Sequence, residues 1–153
     1  MVPLHSLLDE LVGYISLMSI LLGVGVFVTL CWSPFLLLGR FRQMFERLPP
    51  FESFSLTYGV VGVGAAVPYL LGLATSLAVA DTGRALFTVV VVVSAGYLVA
   101  IPLFGAVVLP RVGVDWDSTG YGLSTWALLL AGAIWYTALF AVPLTVISIV
   151  YSL

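Results

Sequence analysis

Lysine is absent from this chain, and five arginines are its only strong bases. With a net charge of −2 it lacks the clustered cations that offset phosphates, which excludes a nucleic-acid partner. Histidine occurs once, as His5, so haem ligation by two histidines of one chain and a histidine-rich zinc site are both excluded. The single cysteine, Cys31, can form no intrachain disulfide and reads as a small buried filler in preference to a reactive thiol. Charge of either sign is scarce, at 8% of residues against 62% hydrophobic. So little polar side chain cannot cover a water-soluble globule, and the composition is that of a membrane protein.

What is present is long apolar runs, over residues 11–38, 54–80, 85–109 and 123–153. Each exceeds the ~20 residues that cross a hydrocarbon core about 30 Å thick. In lipid every backbone polar group must be satisfied within its segment, so these are expected to be helices despite the valine run from Val89 to Val93. The expected fold is an all-α integral membrane protein, a single domain over 1–153. It is a bundle of four transmembrane helices with a short cytoplasmic amphipathic helix. The first ten residues hold no Lys or Arg but do hold Asp9 and Glu10, so the first span is expected to be retained and not cleaved as a signal.

The charged exception is residues 40–48. Phe41, Met44, Phe45 and Leu48 fall at helical spacing on one face, opposite Arg42, Gln43, Glu46 and Arg47. Pro49 and Pro50 stop this helix. Arg40, Arg42 and Arg47, with the aromatics and Leu48, are expected to contact lipid headgroups and acyl chains, or to dock a partner. Arg111 joins them in the third loop, against Arg84 alone in the second; four arginines against one put loops one and three in the cytoplasm and both termini outside.

In the second loop, Asp81 or Thr82 can cap the following helix and Gly83 permits a sharp reversal. Each span carries an internal proline: Pro34, Pro68, Pro102 and Pro143. Each frees a carbonyl for hydroxyls such as Ser33, Ser94 or Thr137, and each is a kink or, in a moving permease, a hinge. Small residues mark where helices should touch, in a stripe of Ala133, Thr137, Ala141 and Thr145 and in the pairs Ser19/Gly23, Gly62/Ala66 and Gly96/Ala100.

No ionisable residue lies in the central part of any span, which disfavours a proton relay or ion path. Small multidrug exporters carry a glutamate inside their first helix; here that region offers only Ser16, Ser19 and Thr29. Asp115, Asp117, Thr119 and Gly120 imitate the first half of a calcium loop, but its twelfth position is Trp126 and not a bidentate Glu, so a polar turn is the better reading. Tyr58, Tyr69, Tyr97 and Tyr136 could line a path for a neutral solute or pack their hydroxyls against carbonyls. No residue set has the roles catalysis needs, and no cofactor is expected.

The expected function is a non-catalytic subunit, anchor or scaffold whose partners are the lipid bilayer and other membrane proteins or a second copy. A small permease or channel for a neutral solute is the alternative, and a lipid-modifying enzyme is third. The arginine count is directly testable. A reporter fused after Leu153 is expected to read as extracytoplasmic and one inserted near Gln43 as cytoplasmic; the reverse pair of readings would sink the orientation.

Overall fold

The computed structural model describes residues 4–153, with side chains from residue 11 onward apart from Leu17; the side chains of His5, Asp9 and Glu10 lie outside the described residues. Among the described residues the chain is all helix and turn. It runs through α1 (Leu4–Trp32), a 3-10 turn (Ser33–Leu37), α2 (Gly39–Arg47), α3 (Phe54–Ser76), α4 (Thr82–Leu103), a π turn (Phe104–Val108), α5 (Leu109–Arg111) and α6 (Leu123–Val150). Four stretches are long and apolar enough to cross a membrane: Leu11–Leu37, Phe54–Ser76, Thr82–Arg111 and Leu123–Val150.

The boundaries follow local chemistry. Asp81 accepts the Arg84 N–H at 3.2 Å and so caps α4, which starts at Thr82. The hairpin loop is therefore 77–81 and not 81–84. Gly83 is not at the reversal, because it lies inside α4 with no positive φ. It is needed instead for close approach: a Cβ there would sit 2.8 Å from the Ser148 carbonyl oxygen in α6. At the other end, α2 stops at Arg47 and Leu48 is extended, as a residue before proline prefers to be.

α1 packs chiefly on α3, α3 pairs with α4, and α4 lies along α6. The α1/α3 seam is made by Gly25 and Thr29 against Gly62 and Ala66; a Cβ on Gly62 would approach the Thr29 Cβ to 3.0 Å. The expected Gly62/Ala66 pair is thus buried. Ser19 and Gly23 are exposed, with Gly23 facing nothing within 4 Å, because Gly25 is two residues further on and about 200° away around the helix. Gly96 and Ala100 also face outward. On α6, Ala133 and Thr137 are buried while Ala141 and Thr145 are half-buried.

The prolines are not alike. Pro34 opens the 3-10 turn and is exposed; Pro68 and Pro143 lie on exposed faces of α3 and α6; Pro102 is buried just before the π turn. Two of the hydroxyls expected to meet freed carbonyls are used elsewhere. Thr137 bonds the Ala133 and Ile134 carbonyls, and Ser94 pairs with the Tyr69 hydroxyl at 2.7 Å.

The α4/α6 seam yields a test. Gly83→Ala places a methyl against the α6 backbone, and overpacking of this kind costs about 1 to 3 kcal/mol. The variant is expected to unfold at a lower temperature than the parent in detergent micelles; equal heat resistance would show that the α6 end yields freely.

Candidate functional site

Loops one and three meet at one end of the bundle and build the only ion pair there that ties two distant segments together among the described residues. The Arg40 guanidinium faces the Asp117 carboxylate in a two-pronged contact, with Nε donating to Oδ1 at 3.2 Å and Nη2 to Oδ2. Arg40 also donates to the hydroxyls of Thr125 (2.7 Å) and Ser124 (3.2 Å) at the start of α6. Asp117 accepts further bonds from the Thr119 N–H at 3.1 Å, the Thr119 hydroxyl at 2.8 Å and the Thr125 hydroxyl. Its side chain is fully buried, whereas that of Arg40 keeps 29% of its surface exposed. Burial alone would raise the Asp117 carboxyl, but the guanidinium and the hydroxyl and amide donors together hold it well below the usual carboxylate range.

The loop itself is folded to present this carboxylate. After α5, Gly113 takes φ +87° while Gly113 and Val114 donate back to the Pro110 and Leu109 carbonyls, a Schellman stop. Trp116 is then completely buried, its indole donating to the Gly105 carbonyl at 2.8 Å in the π turn. Tyr121 accepts the Trp116 N–H and donates to the Asp115 carboxylate at 2.8 Å; burial and that carboxylate push its phenol pKa upward. Arg47 donates to the Asp115 carbonyl oxygen. The Asp115, Asp117 and Thr119 group is thus a polar turn whose buried carboxylate is filled by a guanidinium. A cation at Asp117 would have to displace Arg40.

Below the ion pair, α2 is driven into the protein. Phe41 and Phe45 are fully buried and Met44 is nearly so, which corrects the expectation that this face turns to lipid. The reason is a socket of complementary rings. The Trp32 ring lies 5.3 Å from Phe41, 5.6 Å from Phe45, 5.8 Å from Tyr58 and 4.9 Å from Tyr136. Gly132 makes room, since a Cβ there would stand 3.0 Å from Phe41. Each such ring pair adds about 0.5–1.5 kcal/mol beyond area burial. The arginines expected at lipid phosphates are committed as well: Arg40 to Asp117, and Arg42 to Glu46 at 2.8 Å while lying over the Phe54 ring. Leu48 is half-buried and, with Met44 and Phe45, roofs a cavity of about 370 Å³ between α3 and α4.

Aromatic donors join the helices beneath. Trp32 donates to the Gly132 carbonyl at 3.1 Å, Tyr136 to Gly62 at 2.7 Å, Tyr97 to Ala65 at 2.6 Å, Trp135 to Cys31 at 3.0 Å, and Tyr58 to Thr29. Among the described residues, no buried side-chain nitrogen or oxygen lacks a partner. Sequence reasoning missed Thr125, Trp32 and Trp116 in these roles. Only Trp116, a large ring between two aspartates, carried a visible signal.

The profile of the family described as Domain of unknown function (DUF8162) matches residues 12–153. The chain belongs to that family. The DUF8162 match takes in every element just described except the first turns of α1. No curated protein matches the chain, and no solved structure does.

The depressed Asp117 pKa sets a pH dependence. A carboxyl whose folded pKa lies below its unfolded value of about 3.9 contributes stability that is complete above that value and is lost as pH falls through the folded pKa. The parent is expected to lose thermal stability steadily below about pH 4, and Asp117→Asn to be less stable at pH 7 but flatter in acid. Parallel pH profiles for the two would show that the carboxylate is not held by Arg40.

Proposed function

We propose that the chain is a multi-pass integral protein of the cell membrane, with both termini extracytoplasmic and α2 on the cytoplasmic side, and that it is a non-catalytic subunit, anchor or scaffold. The observation that carries this reading is the use of its polar groups. Tyr58, Tyr97 and Tyr136 each spend their hydroxyl on a backbone carbonyl of another helix, and Tyr69 pairs with Ser94, so these groups hold the bundle shut and do not line a path. The cavity under α2 is likewise walled mainly by hydrocarbon. At the loop end Arg40 is joined to Asp117 and Arg42 to Glu46, as a fixed surface requires and as acid–base chemistry does not.

The outer face supports the same reading. α1 rests mainly on α3 and presents Ile15, Met18, Leu22 and Phe27 outward, a surface suited to lipid, to another membrane protein or to a second copy.

Purification in mild detergent is expected to bring the chain out with another membrane protein or in a self-associated assembly. Liposomes holding the chain alone are expected to take up neutral solutes no faster than empty ones. Fast uptake by the isolated chain would replace this reading with a permease.

A further inference from the structure

We infer that the cavity beneath α2 holds one hydrocarbon chain of a membrane lipid, admitted sideways between α3 and α4. This rests on the membrane reading above and adds to it a ligand and a port. The α3/α4 hairpin is tight near its turn, where a Cβ on Gly72 would meet the Val89 Cβ at 3.2 Å and where Tyr69 reaches Ser94. Towards the loop-one end the two helices part. Tyr97 still reaches the Ala65 carbonyl, but Val61 and Ile101 border a space of about 370 Å³. α2 closes its top. Its two exposed lining residues, Ala100 on α4 and Phe104 at the start of the π turn, mark an opening on the outer surface of the bundle at the level of the spans.

Three occupants are physically available: water, nothing, or hydrocarbon. Buried water needs two to four polar partners. The donors on this wall are Trp32 Nε1, Tyr97 OH and Tyr136 OH, and each already serves a carbonyl, so a water here would find only the two phenolic oxygens to donate to and no free donor to accept from. An empty space would forfeit dispersion contacts along its whole lining, while an acyl chain stands at the mouth in any bilayer. A space of about 370 Å³ is far larger than one water needs and has room for a stretch of a lipid tail.

The protein carries its own probes. Trp32 lines the cavity and is 3% exposed, whereas Trp126 and Trp135 are 36% and 46% exposed on the outer surface. The experiment compares indole fluorescence in vesicles of phosphatidylcholine brominated in mid-chain with that in unbrominated vesicles. The parent is expected to be quenched through its outer indoles. The double variant Trp126→Phe/Trp135→Phe, which keeps only buried indoles, is expected to be quenched too, and adding Ala100→Leu at the mouth is expected to relieve that quenching. If the parent is quenched but the double variant is not, no chain enters and the inference fails while the membrane reading stands. Quenching that Ala100→Leu leaves undiminished also overturns it, since the bromines then reach Trp32 by another route. A parent that is not quenched at all removes the membrane reading and this inference with it.

Discussion

A carboxylate with no exposed surface must keep a cation beside it, and Asp117 has one within reach, Arg40 at the start of α2. That requirement fixes the position of α2, because Arg40 and the socketed Phe41 are adjacent in sequence. The rings alone would not have chosen it. Burying a phenylalanine is worth roughly 2 kcal/mol against water but far less against lipid hydrocarbon, where only the quality of packing distinguishes the two. A buried pair broken at one partner costs about 3–5 kcal/mol, so the ion pair, more than the rings, keeps α2 docked into the bundle. Thr119, Thr125 and the left-handed turn at Gly120 supply the remaining bonds that make so buried a charge tolerable.

The seams below follow a second rule. Four long-range donors land on glycine carbonyls, Tyr136 on Gly62, Trp116 on Gly105, Trp32 on Gly132 and Ser148 on Gly83, while Tyr97, Trp135 and Tyr58 reach Ala65, Cys31 and Thr29. A glycine has no side chain to shield its own carbonyl or to hold a neighbour away, so the residue that permits close approach is also the one whose oxygen can be reached. At those four glycines packing and polar satisfaction are therefore carried by the same positions.

Much of this was legible in the chain. The four long apolar helices follow from length and hydropathy, and the Gly62/Ala66 seam from its spacing. The face of α2 was read with the right residues and the wrong neighbour, because an amphipathic pattern says that one side avoids water but not whether lipid or protein covers it. Ser19 and Gly23 misled for a related reason: α1 carries small residues on two faces, and only the position of Thr29 opposite Gly62 selects one. The Arg40–Asp117 pair joins residues far apart in sequence, and no local pattern announces it. Glycine-directed donors are also invisible until the helices are placed, since Trp32 gives no sign that its partner is Gly132.

The π turn at Phe104–Val108 carries one residue more than a plain helical turn, with Leu109 N–H reaching back to the Phe104 carbonyl. One residue is worth about 100° of rotation about a helix axis. The extra residue thus acts as a phase shifter: it lets α4 present Leu86 and Val90 to the interior, yet delivers α5 and the third loop on the bearing that brings Asp117 over Arg40. A chain shorter by one residue in this segment would keep its apolar length and its composition, while its third loop would set out in a direction from which Trp116 and Asp117 could not both be seated.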